Sequence, residues 1–208
     1  MSNKGLFITL EGVDGCGKST QGSLLANALE ATGREVVRLR DPGSARLSEK
    51  IRLILLDPAN EDMCYECELL LYEAARAQMV RELIEPTLAR GVTVVCDRFY
   101  DSTYAYQAAG RGLDAHMIDV ANKLGSCGVV PDATLVFDLA AEEALARATR
   151  EGADRLEGEG MRFQRRVREG YMQLAKAEPE RVRVVDAVGT VEVVHARVVE
   201  ALRDVVTL

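Results

Sequence analysis

The chain lacks the features that mark membrane, secreted and nucleic-acid-binding proteins. None of its apolar runs approaches the roughly 20 residues that a membrane-spanning helix needs. Its first residues lack the apolar core and the cleavage site of a signal peptide. A formal net charge of −7 argues against a general nucleic-acid binder, which needs a basic face. These absences predict a cytoplasmic protein that binds neither a membrane nor nucleic acid.

Residues that bind metals or carry redox chemistry are also scarce. The chain has 2 histidines and 5 cysteines, and an odd cysteine count without a secretion signal predicts reduced thiols. Cys64 and Cys67 form a CxxC motif with no second pair, so incidental thiols are favoured over a zinc or redox site. No repeat, low-complexity tract or linker interrupts the sequence. The length therefore predicts one domain over residues 1–208.

What the chain does have is a regular alternation of strand-like and helical patterns. Several strand-like runs are nearly continuous Val, Ile and Leu, as in strands buried on both faces of a parallel sheet. The alternation predicts a three-layer α/β/α fold with a five-stranded parallel sheet flanked by helices. The predicted strands are 6–10, 35–39, 92–96, 134–137 and 181–185, and the predicted helices are 19–31, 47–56, 67–89, 115–125, 141–151, 160–177 and 191–206.

The helix predicted over 67–89 has an unusually wide apolar face. Such a face packs against the core, or it contributes in part to a contact with a second copy of the chain. The sequence leaves both alternatives open.

Nine residues near the start, GVDGCGKST, follow a predicted strand and precede a predicted helix. This is the context of a phosphate-binding P-loop, in which backbone N–H groups and the helix dipole bind phosphate oxygens. Lys18 would reach the β- and γ-phosphates, and the Ser19 hydroxyl would bind Mg²⁺. Cys16 would fill a permissive position, the alternative being a thiol of lowered pKa. The predicted phosphate-binding residues are Gly12, Val13, Asp14, Gly15, Cys16, Gly17, Lys18, Ser19 and Thr20.

Polar side chains follow two other predicted strands. Asp97 and Arg98 end the third strand, where the carboxylate would hold Mg²⁺ directly or through water and the guanidinium would clamp a phosphate. The alternative is a surface ion pair. Arg40-Asp41-Pro42-Gly43 follows the second strand, and Arg52 lies on the next helix. An ordinary turn is the alternative for that tetrapeptide.

Two segments have the composition of a base-binding site. Tyr72 and Arg76 are four residues apart and therefore share a helix face. The alternative is that Tyr72 is a core residue and Arg76 a surface residue, because the same spacing also occurs in such pairs. Residues 97–107 are rich in hydroxyl, amide and aromatic groups that suit a small polar ring.

The segment from Arg147 to Arg168 contains seven arginines, and glycines punctuate its first half. It is interpreted as an arginine-bearing lid over residues 150–160. The alternative is a solvated surface.

In this order, the motifs resemble those of the thymidylate kinase family, which transfers a phosphoryl group from ATP to dTMP. The resemblance extends over nearly the whole chain through EGVDGCGKST, RDPGS, LLYEAAR, DRFYDSTYAYQ, GRG, PDATLVFD, DRLE and VDA. It implies ATP as donor, Mg²⁺ as cofactor, dTDP as product and a homodimer.

The resemblance also implies a role for each site residue. Tyr72 would stack on thymine, Arg76 would bond a thymine carbonyl, and Tyr106 would disfavour ribonucleotides. The implied catalytic residues are Lys18, Asp97, Arg98, Arg150 and Arg155; the implied contacts to adenine are Arg147, Asp186 and Ala187; the implied dTMP-binding residues are Asp14, Arg40, Asp41, Arg52, Tyr72, Arg76, Arg98, Thr103, Tyr106 and Gln107.

Three positions depart from the family pattern. Asp41 stands where a glutamate is frequent, Tyr72 replaces a phenylalanine, and Gly15 lies where some members have an arginine. Another nucleoside monophosphate or deoxynucleoside kinase, a P-loop GTPase and an inactive nucleotide-binding relative are the alternatives. A GTPase would need Asn-Lys-x-Asp, and the chain has Asn122-Lys123-Leu124-Gly125.

Overall fold

The structure, a computed structural model, describes residues 5–148 and 159–208. Its described residues form a five-stranded parallel sheet of order β2-β3-β1-β4-β5. The strands are β1 (Phe7–Glu11), β2 (Val36–Arg40), β3 (Thr93–Asp97), β4 (Ala133–Asp138) and β5 (Val182–Asp186). The predicted fold class is confirmed, and each predicted strand end lies within one residue of the observed end.

The three central strands are buried on both faces because most of their side chains are apolar. Alternate residues of a strand point to opposite faces of a sheet. Ile8 and Leu10 therefore pack into one core cluster with Leu25 and Phe137, whereas Phe7 packs into the other cluster. Each such side chain contributes about 1.5–3 kcal/mol of transfer free energy. These two cores fix the sheet between two helical layers.

Helices connect and cover the strands, mostly where the sequence predicts them. They are α1 (Lys18–Ala31), α2 (Arg46–Leu56), α3 (Tyr65–Met79), α4 (Glu85–Ala89), α5 (Tyr100–Thr103), α6 (Ala115–Gly125), α7 (Ala141–Ala148), α8 (Met161–Ala177) and α9 (Val191–Ala201). A short 3₁₀ turn covers Pro58–Asn60. No helix in the described part of the chain is both long enough and apolar enough to cross a membrane.

The structure differs from the predicted helices in three places. The helix predicted over 67–89 is divided by a π-helical turn at Val80–Ile84, next to Pro86, which has no N–H to donate. The segment 100–110, for which no helix is predicted, is helical: α5 continues into a π-helix at Tyr104–Gly110. Helix α9 ends at Ala201 rather than at 206.

Candidate active site

The P-loop connects β1 to α1, and its backbone needs glycine at two tight positions. Gly12 has a φ of 136°, and a Cβ there would lie 2.7 Å from the carbonyl oxygen of Phe137. Gly17 is left-handed, with a φ of 97°, at the N-cap of α1. Lys18 Nζ donates to the carbonyl oxygens of Gly12, at 2.9 Å, and Val13, at 3.0 Å. The loop therefore holds the ammonium against its own concave side.

Cys16 is a buried member of the core rather than a reactive thiol. Burial raises the pKa of the Cys16 thiol above its ordinary value, and this effect outweighs the nearby charges of Lys18 and Arg98. The alternative of a lowered thiol pKa is therefore wrong, because the side chain is buried in the core.

The two predicted magnesium ligands lie together at the start of α1 and the end of β3. Ser19 Oγ donates to Asp97 Oδ2 at 2.8 Å. A hydroxyl beside a carboxylate is a hard oxygen donor set of the kind that Mg²⁺ prefers. These residues fit the cation.

Arg98 occupies the centre of the site. Its φ of 69° is left-handed, which is uncommon for a residue with a side chain and costs conformational energy. Its Nη2 donates to Asp14 Oδ1 at 2.5 Å and to the Tyr106 hydroxyl at 3.0 Å. Partial burial would raise the pKa of Asp14, but the charges of Arg98 and Lys18 outweigh it and hold that pKa well below its usual range. Asp14 is thus ionised and shared between the P-loop and Arg98.

A buried carboxylate behind Arg98 was not predicted from the sequence. Glu11, at the end of β1, accepts from the Phe99 N–H at 2.7 Å, from Ser102 Oγ at 2.6 Å and from the Tyr171 hydroxyl at 2.8 Å. The same two hydroxyls each accept from Arg98 Nη1 at 3.1 Å. Burial, with the nearby charge of Asp101, raises the pKa of Glu11 to about 7.

Nine of the ten predicted dTMP-binding residues line a single cleft, which encloses about 520 Å³ of atom-free space that is partly open to solvent. They are Asp14, Asp41, Arg52, Tyr72, Arg76, Arg98, Thr103, Tyr106 and Gln107; Pro42, Leu56 and Ser102 complete the lining.

The structure does not bring Arg40 to this cleft. Arg40 Nη2 pairs with Glu49 at 2.8 Å, and its side chain lines a neighbouring cleft with Ser19 and Asp97. Because successive residues of an extended strand point in opposite directions, Asp41 reaches the acceptor cleft and Arg40 does not.

Arg76 is buried at the inner end of the cleft between two carboxylates. Its Nε lies 2.5 Å from Asp41 Oδ2, and its Nη1 lies 2.5 Å from Glu73 Oε1. Burial raises the pKa of Asp41 in spite of the Arg76 charge. The prediction that Tyr72 and Arg76 share a face is confirmed, since both line the cleft. The alternative of a surface arginine is wrong.

Gln107 lies on the π-helical segment and is also held by a buried carboxylate. Its Nε2 donates to Glu68 Oε1 at 2.8 Å. Arg111 donates to both oxygens of Glu68, from Nε at 3.2 Å and from Nη2 at 3.0 Å. Arg111 also pairs with Glu159 and lies over the rings of Tyr65 and Phe163. Glu68, Gln107 and Arg111 thus form a polar cluster beside the cleft.

The residues predicted to contact adenine lie on the exposed side of the site. Arg147 Nη2 donates to Glu143 Oε1 at 2.5 Å on the outer face of α7. Asp186 ends β5, where its Oδ1 accepts from the Val188 N–H at 3.0 Å. Ala187 is buried beside it and donates from its N–H to the Asp138 carbonyl at 2.9 Å. Arg150 and Arg155 lie outside the described residues.

The sequence reasoning missed four residues that act on the cleft: Glu11, Glu68, Ser102 and Tyr171. A signal existed for Glu68, because Glu68, Tyr72 and Arg76 recur at intervals of four and so share one face of α3. No sequence signal connects Tyr171 with Arg98, since 73 residues separate them.

The fold and the cleft match those of known proteins. The sequence model of thymidylate kinase matches residues 10–198. A thymidylate kinase of Desulfosudis oleivorans is 50% identical over 208 residues, covering 96% of this chain and 97% of its own. One from Pelotomaculum thermopropionicum is 48% identical over 204 residues, covering 97% and 94%. The chain belongs to the thymidylate kinase family.

A solved thymidylate kinase supports the same assignment in three dimensions. The crystal structure from Ehrlichia chaffeensis superposes with a TM-score of 0.79 at 34% identity, and it covers 96% of this chain and 99% of its own.

In this member of the thymidylate kinase family, Cys64 and Cys67 are exposed free thiols. Within residues 5–148 and 159–208, no cluster of three or more His, Cys, Asp or Glu residues could hold a metal ion.

Proposed function

We propose that this member of the thymidylate kinase family transfers the γ-phosphoryl group of ATP to the phosphate of dTMP, giving dTDP and ADP. The observation that carries the proposal is the connection between the P-loop and the acceptor cleft. Asp14 of the loop bonds Arg98 and Tyr106, which line the cleft with Tyr72 and Arg76. A donor triphosphate on the loop and an acceptor in the cleft would thus meet at Arg98.

The reaction needs positioning and positive charge more than it needs a general base. The second pKa of a phosphate monoester is about 6, so the acceptor is mostly a dianion at neutral pH. One of its oxygens attacks the γ-phosphorus, and the bond from that phosphorus to the β,γ-bridging oxygen breaks. Lys18 and Arg98 neutralise the two repelling anions and the transition state. Asp14 would accept a hydrogen bond from the sugar 3′-hydroxyl.

Mg²⁺ belongs to the same proposal, with Ser19 and Asp97 as the residues that would hold it. It would supply positive charge to the β- and γ-phosphates. On the donor side, Arg147, Asp186 and Ala187 would contact adenine, and Arg150 and Arg155 would serve as lid arginines. A cytoplasmic location is also part of the proposal, since all five cysteines are free thiols.

A coupled assay of ADP release against a panel of nucleoside monophosphates tests the function. We expect dTMP to be the best acceptor, and we expect turnover to need Mg²⁺. Tyr72→Ala should raise the KM for dTMP because it removes the stacking ring. The control is Arg81→Ala, which removes an exposed side chain that pairs with Glu85. It should leave the KM for dTMP and kcat unchanged. A preference for a purine or cytosine monophosphate would contradict the proposal.

We also propose that the protein is a homodimer joined through the layer formed by α2, α3 and α6. This layer exposes a set of apolar side chains that a monomer of this size rarely leaves in water. Leu53 is 73% exposed, Leu70 is 65% exposed and Leu124 is 76% exposed. Leu69 of α3 is buried at the same time, so α3 has one apolar side in the core and another at the surface.

Sedimentation velocity tests the dimer. The wild-type chain should sediment as a dimer at micromolar concentration, and Leu70→Glu should sediment as a monomer, because a charge would be buried in an apolar contact. Val193→Glu, an exposed apolar position on α9, is the matched control and should leave the dimer intact. A monomeric wild-type protein would refute this proposal without affecting the proposed reaction.

A further inference from the structure

The cleft contains an amide whose direction is chemically fixed. Gln107 is 2% exposed and lines the cleft, while Glu68 beside it is fully buried. An ionised carboxylate accepts hydrogen bonds and cannot donate them. Only the NH₂ end of the Gln107 carboxamide can therefore face Glu68. The structure shows this orientation, with Nε2 donating to Glu68 Oε1 at 2.8 Å. The carbonyl oxygen, Oε1, is the end that remains for the cleft.

Glu68 is also held by a second partner, Arg111. Arg111 donates to both of its carboxylate oxygens, and the Arg111 side chain is only 2% exposed. Both oxygens of Glu68 therefore accept from Arg111, which makes Glu68 an acceptor towards Gln107 as well. Because Glu68 stays an acceptor, Gln107 cannot rotate by 180° without placing two acceptor oxygens against each other.

The cleft also contains a hydrogen-bond donor that cannot become an acceptor. Arg76 lines the same cleft, and a guanidinium only donates. A pyrimidine with a carbonyl at C4 beside an N3–H presents an acceptor next to a donor. Cytosine presents the reverse, an amino group next to an unprotonated N3. Arg76 and the Gln107 carbonyl together suit the first pattern and oppose the second.

We propose that Glu68 is a positioning residue for acceptor specificity: it fixes the Gln107 amide with its carbonyl towards the ring, so that the cleft accepts 4-oxo pyrimidines and rejects cytosine. This inference rests on the proposed function and deepens it. It assigns to Glu68 no contact with the substrate. Its effect acts on the choice of base and not on the phosphoryl-transfer step.

The test compares kcat/KM for dTMP, dUMP and dCMP in the wild-type protein, in Glu68→Gln and in Arg111→Lys. An amide at position 68 can donate or accept, so Gln107 becomes free to turn its NH₂ towards N3 of cytosine. The ratio of dCMP to dTMP should rise at least about tenfold in Glu68→Gln. The ratio of dUMP to dTMP should stay unchanged, because both bases present the same edge. Arg111→Lys keeps one donor to Glu68 but loses the bidentate contact, so the dCMP to dTMP ratio should rise by less than in Glu68→Gln.

Glu68→Asp covers the case in which Glu68→Gln does not fold. It keeps a carboxylate for Arg111 but withdraws it from Gln107 by one methylene, so the dCMP to dTMP ratio should still rise. A folded Glu68 variant that phosphorylates dTMP with wild-type ratios would overturn the inference and leave the proposed function intact. A wild-type protein that does not phosphorylate dTMP would refute the proposed function itself.

Discussion

The acceptor half and the donor half of the site are built in different ways. In the acceptor cleft, Arg76 and Gln107 are buried and each is held by a carboxylate that is itself buried. On the donor side, the side chains of Arg147 and Asp186 are 39% and 59% exposed. Buried polar networks restrict geometry strongly because each broken hydrogen bond leaves an unsatisfied group. In the proposed function, acceptor selectivity would therefore be part of the folded interior, while donor binding would depend mainly on the backbone of the P-loop.

The sharpest test of this contrast replaces one cation in each half. Lys18→Ala and Arg98→Ala should each lower kcat/KM by about 10³-fold or more, because each removes charge stabilisation from phosphoryl transfer. Arg98→Ala should also lower the free energy of unfolding by about 3 kcal/mol, since it leaves the buried network around Glu11 and Asp14 without its cation.

Lys18→Ala should lower the unfolding free energy by only about 1 kcal/mol, because Lys18 bonds two carbonyl oxygens of its own loop and no buried carboxylate network depends on it. Urea unfolding and steady-state kinetics on the same samples separate the two effects. Equal losses of stability in the two variants would remove the distinction between the halves.

The pH dependence of stability gives a second test, and it concerns the acceptor half alone. The native pKa of Glu11, about 7, lies above the ordinary value of 4.5 because of burial and the charge of Asp101, with Arg98 opposing them. The folded state therefore binds this proton more tightly than the unfolded state. The resulting stabilisation is complete below about pH 4.5 and is lost as the pH rises through about 7.

Glu11→Gln removes this titration while keeping the shape of the side chain. Relative to the variant, the wild-type protein should lose about 2 kcal/mol of unfolding free energy between pH 5 and pH 8. Urea unfolding across that range measures the difference. Parallel profiles for the two proteins would show that folding does not raise the pKa of Glu11.

A third test concerns the ring of Tyr106, whose hydroxyl donates to Asp14 Oδ2 at 2.9 Å. Tyr106→Ala should improve the use of a thymine ribonucleotide relative to dTMP by about tenfold, because it opens space beside the sugar. Tyr106→Phe keeps the ring and should keep the preference ratio, although it removes a bond to Asp14. An unchanged ratio in Tyr106→Ala would exclude this role.

The sequence predicted the side chains that line the cleft better than it predicted the carboxylates that hold them. Local motifs identified Tyr72, Arg76, Arg98 and Gln107, because each lies in a segment whose own pattern favours binding. Most of the carboxylates that hold these side chains come from elsewhere in the chain: Glu68 is 39 residues from Gln107, and Asp41 is 35 residues from Arg76. Pairings of this length depend on tertiary packing, and residue spacing does not determine them.

The same reasoning explains the two local errors. Arg40 was placed with Asp41 because they are adjacent in sequence, whereas the strand directs them to opposite sides. The helix predicted over 67–89 was continuous because its apolar pattern is continuous, and the π-turn beside Pro86 changes the backbone hydrogen bonds without changing that pattern. Patterns of side chains predict which residues are buried more reliably than they predict backbone detail.

The smallest expected effect is on the donor side. Arg147 is exposed and already pairs with Glu143, so its contact with adenine would be screened by water and would contribute about 0.5 kcal/mol. Arg147→Ala should therefore raise the KM for ATP about two- to threefold and leave kcat and the KM for dTMP unchanged. Glu143→Ala, which removes only the competing carboxylate, should not raise the KM for ATP. A loss above tenfold in Arg147→Ala would mean that the donor half binds its base as tightly as the acceptor half does, and the contrast between the two would disappear.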